Sequence, residues 1–300
     1  MNLSEIRKYG NIEFLAKKAV EGFITGLHKS PYNGFSVEFA EHKQYNTGDS
    51  TKNIDWKVFA RTDKLYLKNY EEETNLRCQL IIDTSSSMFY PAENYGKLTF
   101  SIYAAAALSI MLQKQRDAVG FTTFSDEIEL NTPIKSNAAH LHKLFIQMQH
   151  VLDDAKPSGK QTSIAKTIHH IATKLHKRSL VIIFSDMFEN IEQADELFHA
   201  LQHLRHKKNE VLLFHTVDKK TERDFEFEER PHEFIDLESG SKIKLSPSQV
   251  KESYAESMTA YMNDLALKCA QYRIEFIEAD INKSLDQILL PYLVKRSKMR

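Results

Sequence analysis

The chain has 300 residues, enough for one large domain or two modest ones. Lys plus Arg number 40 against 41 Asp plus Glu, a formal net charge of −1, and that balance excludes a general nucleic-acid binder, which carries a large basic excess. At 42% hydrophobic and 27% charged, with 9 glycines, 7 prolines and 2 cysteines, the composition excludes a disordered, collagen-like or disulfide-stapled chain and a Cys-rich zinc site.

The N-terminus turns charged at once, at Glu5, Arg7 and Lys8, and has no apolar stretch of signal-peptide length. The longest near-apolar run, residues 100–112, is interrupted by Ser101, Tyr103 and Ser109 and is too short to span a bilayer. Cys78 and Cys269 lie among apolar residues, as reduced, buried thiols do. The expectation is a soluble cytoplasmic protein without direct membrane insertion.

Residues 1–74 predict a small N-terminal unit. Ile12, Leu15, Ala16, Val20 and Phe23 approximate one face of a helix over 12–23. Gly26, Pro31, Asn33 and Gly34 then break the pattern. Strand-like runs follow at 35–40, 54–60 and 65–70, separated by turn-forming residues, and predict a small antiparallel β unit that must pack on something larger.

Residues 75–300 change rhythm. Strands are predicted at 78–82, 118–124, 180–184, 211–214 and 274–277, with 128–130 pairing back on 118–124. Helices are predicted at 97–114, 138–151, 163–175, 191–206 and from Pro247 to near Tyr272. Ser246 precedes that last helix with Gln249 three residues on, a capping-box pattern. The alternating Lys, Arg, Glu and Asp of 219–233 predict an exposed connection, and 234–236 with 242–245 a hairpin. The run 180–184 is apolar throughout, as a strand covered on both faces must be. Alternating strands and helices imply an α/β fold, a doubly wound, mostly parallel sheet with helices on both faces.

In such a sheet, ligands bind beyond the carboxyl ends of the strands, near the switch in strand order. There the sequence places Asp83-Thr84-Ser85-Ser86-Ser87 after one strand, Ser185-Asp186 after another, and Thr162 in the polar loop 158–162 before a helix. Hydroxyls and two carboxylates, with no histidine or thiolate, suit a hard cation such as Mg²⁺, which wants six oxygens and keeps several waters. The alternative is that Asp83 and the serines form a turn capping the next helix. The convergence of three separate strand-end loops favours the cation.

The loop Asp83-Thr84-Ser85-Ser86-Ser87-Met88 resembles the first loop of the metal-ion-dependent adhesion site of von Willebrand factor A domains. Thr162 and Ser185-Asp186 match its second and third loops. Residues 38–45, Gly48-Asp49, Asn53-Ile54-Asp55-Trp56 and Ala60-Arg61 further resemble the signature of the bacterial domain-of-unknown-function family fifty-eight, whose von Willebrand A-like members are associated with MoxR-type AAA+ ATPases. The resemblance implies that Ser85, Ser87 and Thr162 ligate a Mg²⁺ ion directly, with Mn²⁺ or Ca²⁺ as substitutes. Asp83 and Asp186 would act largely through water or as switchable ligands, and an open position would take a partner's Asp or Glu. It also implies a MoxR-type ATPase and a client protein as partners. In the 48–61 segment, Asp49 and Asp55 are expected to pair with Lys52 or Arg61, and the sole tryptophan, Trp56, to anchor the small unit by packing.

Other chemistries find little support. No Gly-x-x-x-x-Gly-Lys-Ser/Thr loop is present; Gly96-Lys97-Leu98-Thr99 lacks the first glycine, so this chain is not expected to be the ATPase. His199, His203 and His206 share a helix side, but Leu197, Leu201 and Leu204 lie about 200° around that helix, so the histidines face away from the core rather than forming a zinc site. His169 and His170 are expected on a solvated helix edge. The expectation is a non-enzymatic, Mg²⁺-dependent protein-binding adaptor. The alternative is a Mg²⁺-dependent, phosphatase-like hydrolase using the same oxygens with Asp83 as its reacting group.

Overall fold

The computed structural model describes residues 11–28, 42–44, 56–68, 76–92, 95–154, 164–187, 194–237 and 240–298. The chain divides into two compact units, Met1–Thr25 with Leu76–Arg300, and Gly26–Asn75.

The large unit is built on a six-stranded sheet. Its strands are β3 (Arg77–Asp83), β4 (Ala118–Phe124), β5 (Ile128–Asn131), β6 (Leu180–Ser185), β7 (Glu210–Val217) and β10 (Glu275–Asp280), in the spatial order β10-β7-β6-β3-β4-β5. All neighbours pair in parallel except β5, which runs antiparallel to β4. This is the expected doubly wound, mostly parallel α/β fold, and β5 pairs back as predicted.

Side chains alternate faithfully across the sheet. Leu80 and Ile82 of β3 and Leu180, Ile182 and Phe184 of β6 enter one core, while Ile81, Val181 and Ile183 enter the other. The first core is closed by α1 (Ile12–His28), α3 (Gly96–Lys114), α4 (Ala138–Asp154) and α8 (Leu285–Lys298); the second by α5 (Ile164–Lys174), α6 (Ala194–His206) and α7 (Pro247–Gln271). Phe184 and Phe214 stack with ring centroids 4.7 Å apart. Cys78 and Cys269 are buried free thiols, one in each core. Helix α3 is buried on nearly every side, and the small Ala104–Ala107 run lets it lie deep in the first core.

Packing on this sheet leaves no slack at Gly120, in mid-β4. A Cβ there would collide with Gln79 Oε1 and approach Ile134 Cγ1 to 2.9 Å. Gln79 has little freedom to yield, because its amide Nε2 donates to Thr122 Oγ1 at 2.7 Å. Gly120→Ala is expected to cost about 1–3 kcal/mol of stability by overpacking, measured as a shift in the urea midpoint without change in slope.

Several expectations are corrected. Ile12, Leu15, Ala16 and Val20 of α1 are buried in the first core, so the first helix belongs with the sheet and the separate unit begins at Gly26 rather than at residue 1. Within the stretch 54–60, read as a strand, residues 56–60 instead belong to a helix, α2 (Trp56–Thr62). Between β1 (His42–Gln44) and β2 (Tyr66–Lys68) the small unit does form an antiparallel ladder. Trp56 is 63% exposed and meets Phe59 edge-on, so it is not a buried anchor. The strand at 35–40 and the Asp49 and Asp55 ion pairs lie outside the described residues. The 219–233 segment is not simply exposed: it opens with a single π-helical turn, Lys219–Arg223, and Phe225 is buried. The hairpin forms, as β8 (His232–Ile235) and β9 (Lys242–Leu245). Ser246 makes no side-chain cap on α7; the Gln249 N–H instead donates to the Ser246 carbonyl. Helix α8 was not anticipated.

Candidate functional site

Strand β3 sends the chain toward β4 on one side of the sheet, while β6 continues toward β7 on the other. A crevice therefore opens beyond the carboxyl ends of β3 and β6, the switch point at which doubly wound sheets bind ligands. Asp83 is the last residue of β3, and Asp186 directly follows Ser185, the last of β6. Their parallel register thus brings together two carboxylates 103 positions apart.

Both carboxylates are fully buried. Asp83 Oδ1 accepts the Ser85 N–H at 2.9 Å, and Oδ2 accepts the Ser185 hydroxyl at 2.6 Å. Ser185 Oγ in turn accepts the Met187 N–H at 2.9 Å. The Ser85 and Ser87 hydroxyls lie 3.1 Å apart, and Ser87 hydrogen-bonds the Asp186 carboxylate. Ser87 stands in a short 3₁₀ turn, Ser86–Phe89, and is the more open of the two serines. Four of the five predicted site residues, Asp83, Ser85, Ser87 and Asp186, are therefore gathered in one place. Thr162 lies outside the described residues. Thr84 turns away: its hydroxyl donates to Phe124 O and Glu129 Oε2, both at 2.8 Å.

Two residues that sequence reading missed complete the cluster. Lys97, second residue of α3, has a completely buried side chain whose Nζ donates to Asp186 Oδ2 at 2.8 Å and to Glu222 Oε1 at 2.5 Å. Glu222 sits in the π-helical turn, where its Oε2 accepts the Asp218 N–H at 2.8 Å. The available signal was a lone cation at the head of an otherwise apolar helix. A charge in that position demands a buried partner.

The electrostatics separate the two aspartates. Burial pushes the Asp83 carboxyl up to about 7, and the Asp186 charge pushes in the same direction. Burial opposes ionisation of Asp186 too, but the Lys97 ammonium, joined by the Ser87 hydroxyl, holds that carboxyl below its usual range. Glu222 stays raised by burial despite the same ammonium. His215, opposite Ser185 in the ladder, is pushed by burial down to about 4 and is neutral at physiological pH.

Helix α7 borders this cluster. Its Tyr254 hydroxyl donates to Glu222 O at 2.8 Å, and its Tyr261 hydroxyl donates to Met187 O. Met187 takes a left-handed backbone at φ 51°, a conformation a non-glycine residue keeps only when its surroundings fix it.

The histidine-bearing helix behaves as its pattern predicts. Leu197, Leu201 and Leu204 are buried while His199 and His206 are exposed. His203 is half-buried and lies 3.1 Å from His169 between ring nitrogens, so His169 meets α6 rather than lying on a fully solvated edge. Among the described residues, no group of three or more His, Cys, Asp or Glu side chains is placed to hold a metal.

The chain is 22% identical to uncharacterized proteins of Mycobacterium tuberculosis and Mycobacterium bovis over 258 residues, 85% of this chain and 78% of theirs. Among solved structures it is similar to the conserved hypothetical protein BatB from Bacteroides thetaiotaomicron, with 15% identity, TM-score 0.44, and 74% of this chain and 99% of that one covered. It is also similar to an aerotolerance-related membrane protein from Bacteroides fragilis, with 16% identity, TM-score 0.40, and 71% and 96% covered. With a similar structure named as a membrane protein's, the cytoplasmic expectation is withdrawn. Among the described residues, no helix is long and apolar enough to cross a membrane. The model of one family, described as protein of unknown function DUF58, matches residues 41–263, and the chain belongs to that family.

Proposed function

We propose that this chain is a non-enzymatic, Mg²⁺-dependent protein-binding adaptor whose metal-ion-dependent adhesion site comprises Asp83, Ser85, Ser87, Thr162 and Asp186. The observation that carries the reading is the pair of fully buried carboxylates at a strand-order switch point, with the Asp186 charge raising the cost of ionising Asp83 and serine hydroxyls between them. Two like charges confined together fit a divalent cation held between them. The donors are all oxygens, the chemistry that Mg²⁺ selects. Bound there, the ion supplies an electrophilic position for a carboxylate from outside. Asp83 and Asp186 provide its charge balance, Ser85 and Ser87 its neutral donors. Following the family resemblance, a MoxR-type AAA+ ATPase supplies the energy, and the adaptor presents its metal face to an acidic residue of the ATPase or of a client protein during maturation or remodelling.

The test is affinity capture on immobilised wild type and Asp83→Ala, each with Mg²⁺ and with chelator. The reading expects a MoxR-type ATPase or a client retained by wild type with Mg²⁺ and released by chelator, and not retained by Asp83→Ala. Retention indifferent to both chelator and substitution contradicts it.

Proton competition gives a second expectation. Asp83 must lose its proton to balance a cation, and that proton is held up to about pH 7. Apparent Mg²⁺ affinity therefore rises with pH, by about tenfold per unit below 7 and little above 8. Without metal the sign reverses. The folded protein keeps a proton that an ordinary aspartate releases near 3.8, so this group's contribution to stability is greatest below that value and is lost as pH rises through about 7. Thermal melts across pH 5–8, with and without Mg²⁺, check both slopes.

A further inference from the structure

We infer that Lys97 is a tethered competitor for the cation site: an ammonium fixed on Asp186 that keeps the divalent ion loosely held. The inference rests on the metal reading above and deepens it. Lys97 Nζ lies 2.8 Å from Asp186 Oδ2 and 2.5 Å from Glu222 Oε1, with its side chain wholly buried. Asp186 and Glu222 thus share one ammonium, and with Asp83 beside Asp186 the three carboxylates and the ammonium carry a net of two negative charges when all are ionised. A divalent ion brings that total to zero. The ammonium, however, already engages the carboxylate that the ion would use, so Asp186 divides its charge between the two cations. An ion held by a divided carboxylate keeps more of its own charge for the vacant position. It therefore favours an incoming acidic side chain over tighter enclosure by the protein. Glu222 is the counterweight. Anchored on the π-helical turn by the Asp218 N–H, it draws part of the ammonium's charge away from Asp186. Lys97 is thus a positioning residue, acting on the ion through Asp186.

The geometry makes two substitutions move affinity in opposite directions. In Glu222→Gln the ammonium falls wholly to Asp186, and Mn²⁺ binding weakens by about tenfold. In the double variant Lys97→Met with Glu222→Gln, both members of the second pair become neutral, and Asp186, left without its ammonium, turns fully to the ion. Mn²⁺ binding then tightens by about tenfold. Titration of Mn²⁺ by electron paramagnetic resonance at pH 8, on variants whose folding is confirmed by circular dichroism, reads both. Opposite shifts support the inference. If wild type binds Mn²⁺ saturably and Asp83→Asn abolishes it, but the two variants shift together or not at all, Lys97 is only a structural ion pair and the inference falls while the metal reading stands. If wild type shows no saturable Mn²⁺ binding, the metal reading fails and the inference with it.

Discussion

Lys97→Met alone is expected to lower the stability of the fold by roughly 3–5 kcal/mol, the cost of removing one partner from a buried charge cluster. The residue is 0% exposed, and so is Asp186, to which it is paired. Methionine nearly matches the length of the lysine stem, so little is lost by packing. What is lost is the ammonium that both Asp186 and Glu222 accept. Asp186 would remain fully buried beside Asp83, Glu222 would remain partly buried, and each would have to take up a proton or draw in water. Against a typical margin of about 5–15 kcal/mol the loss is large. A comparison isolates the role of burial. Lys17 also makes a close ion pair, 2.7 Å from Glu13, but both side chains are partly exposed at 59% and 31%. Its replacement by methionine is expected to cost less than about 0.5 kcal/mol. Urea unfolding of both variants measures the difference; equal effects would show that the buried cluster contributes no more than a surface pair.

The second large effect separates binding from stability. Asp83→Asn is expected to weaken Mg²⁺ binding by at least about a hundredfold, because half of the site's charge is removed. The same change is expected to leave the metal-free protein at least as stable as wild type at pH 8. There the ionised Asp83 is held against burial and against Asp186, and removing a charge so penalised relieves the fold. Asparagine retains an oxygen to accept the Ser85 N–H, and its new Nδ2 can donate to Ser185 Oγ once that hydroxyl turns its proton away. Calorimetric titration reads the first effect and thermal melting in chelator the second. A variant that loses metal and stability together would mean that Asp83 is a structural cap on the serine turn, the alternative that the sequence left open.

The sheet and most of the site were legible because they depend on local patterns. Continuous apolar runs such as 180–184 mark strands covered on both faces, and polar residues directly after them fall at strand ends whatever the loops between do. Asp83, Ser85, Ser87 and Asp186 could be gathered on that logic alone. Lys97 and Glu222 could not. Their contacts span 89 and 125 residues, and a glutamate within an alternating charged stretch looks solvated until the tertiary fold covers it. Helix α2 was misread because Ile54, Trp56, Val58 and Ala60 alternate like a strand, and period-two patterns over short stretches compete poorly with context. Helix α8 was overlooked for the opposite reason. Leu285, Ile288, Leu289 and Tyr292 fall at helical spacing and are buried, and Gln287 reaches back to the Ser284 N–H. Pro291 within the segment disguised the pattern as a broken one.

Anomalous diffraction from crystals soaked in Mn²⁺ at pH 8 tests the central claim most directly. The account predicts one peak beyond the ends of β3 and β6, surrounded by oxygens of Asp83, Ser85, Ser87, Thr162 and Asp186, with at least one coordination position turned to solvent. Crystals that show no peak there, or in which the Lys97 ammonium occupies the space between the two aspartates, would contradict it.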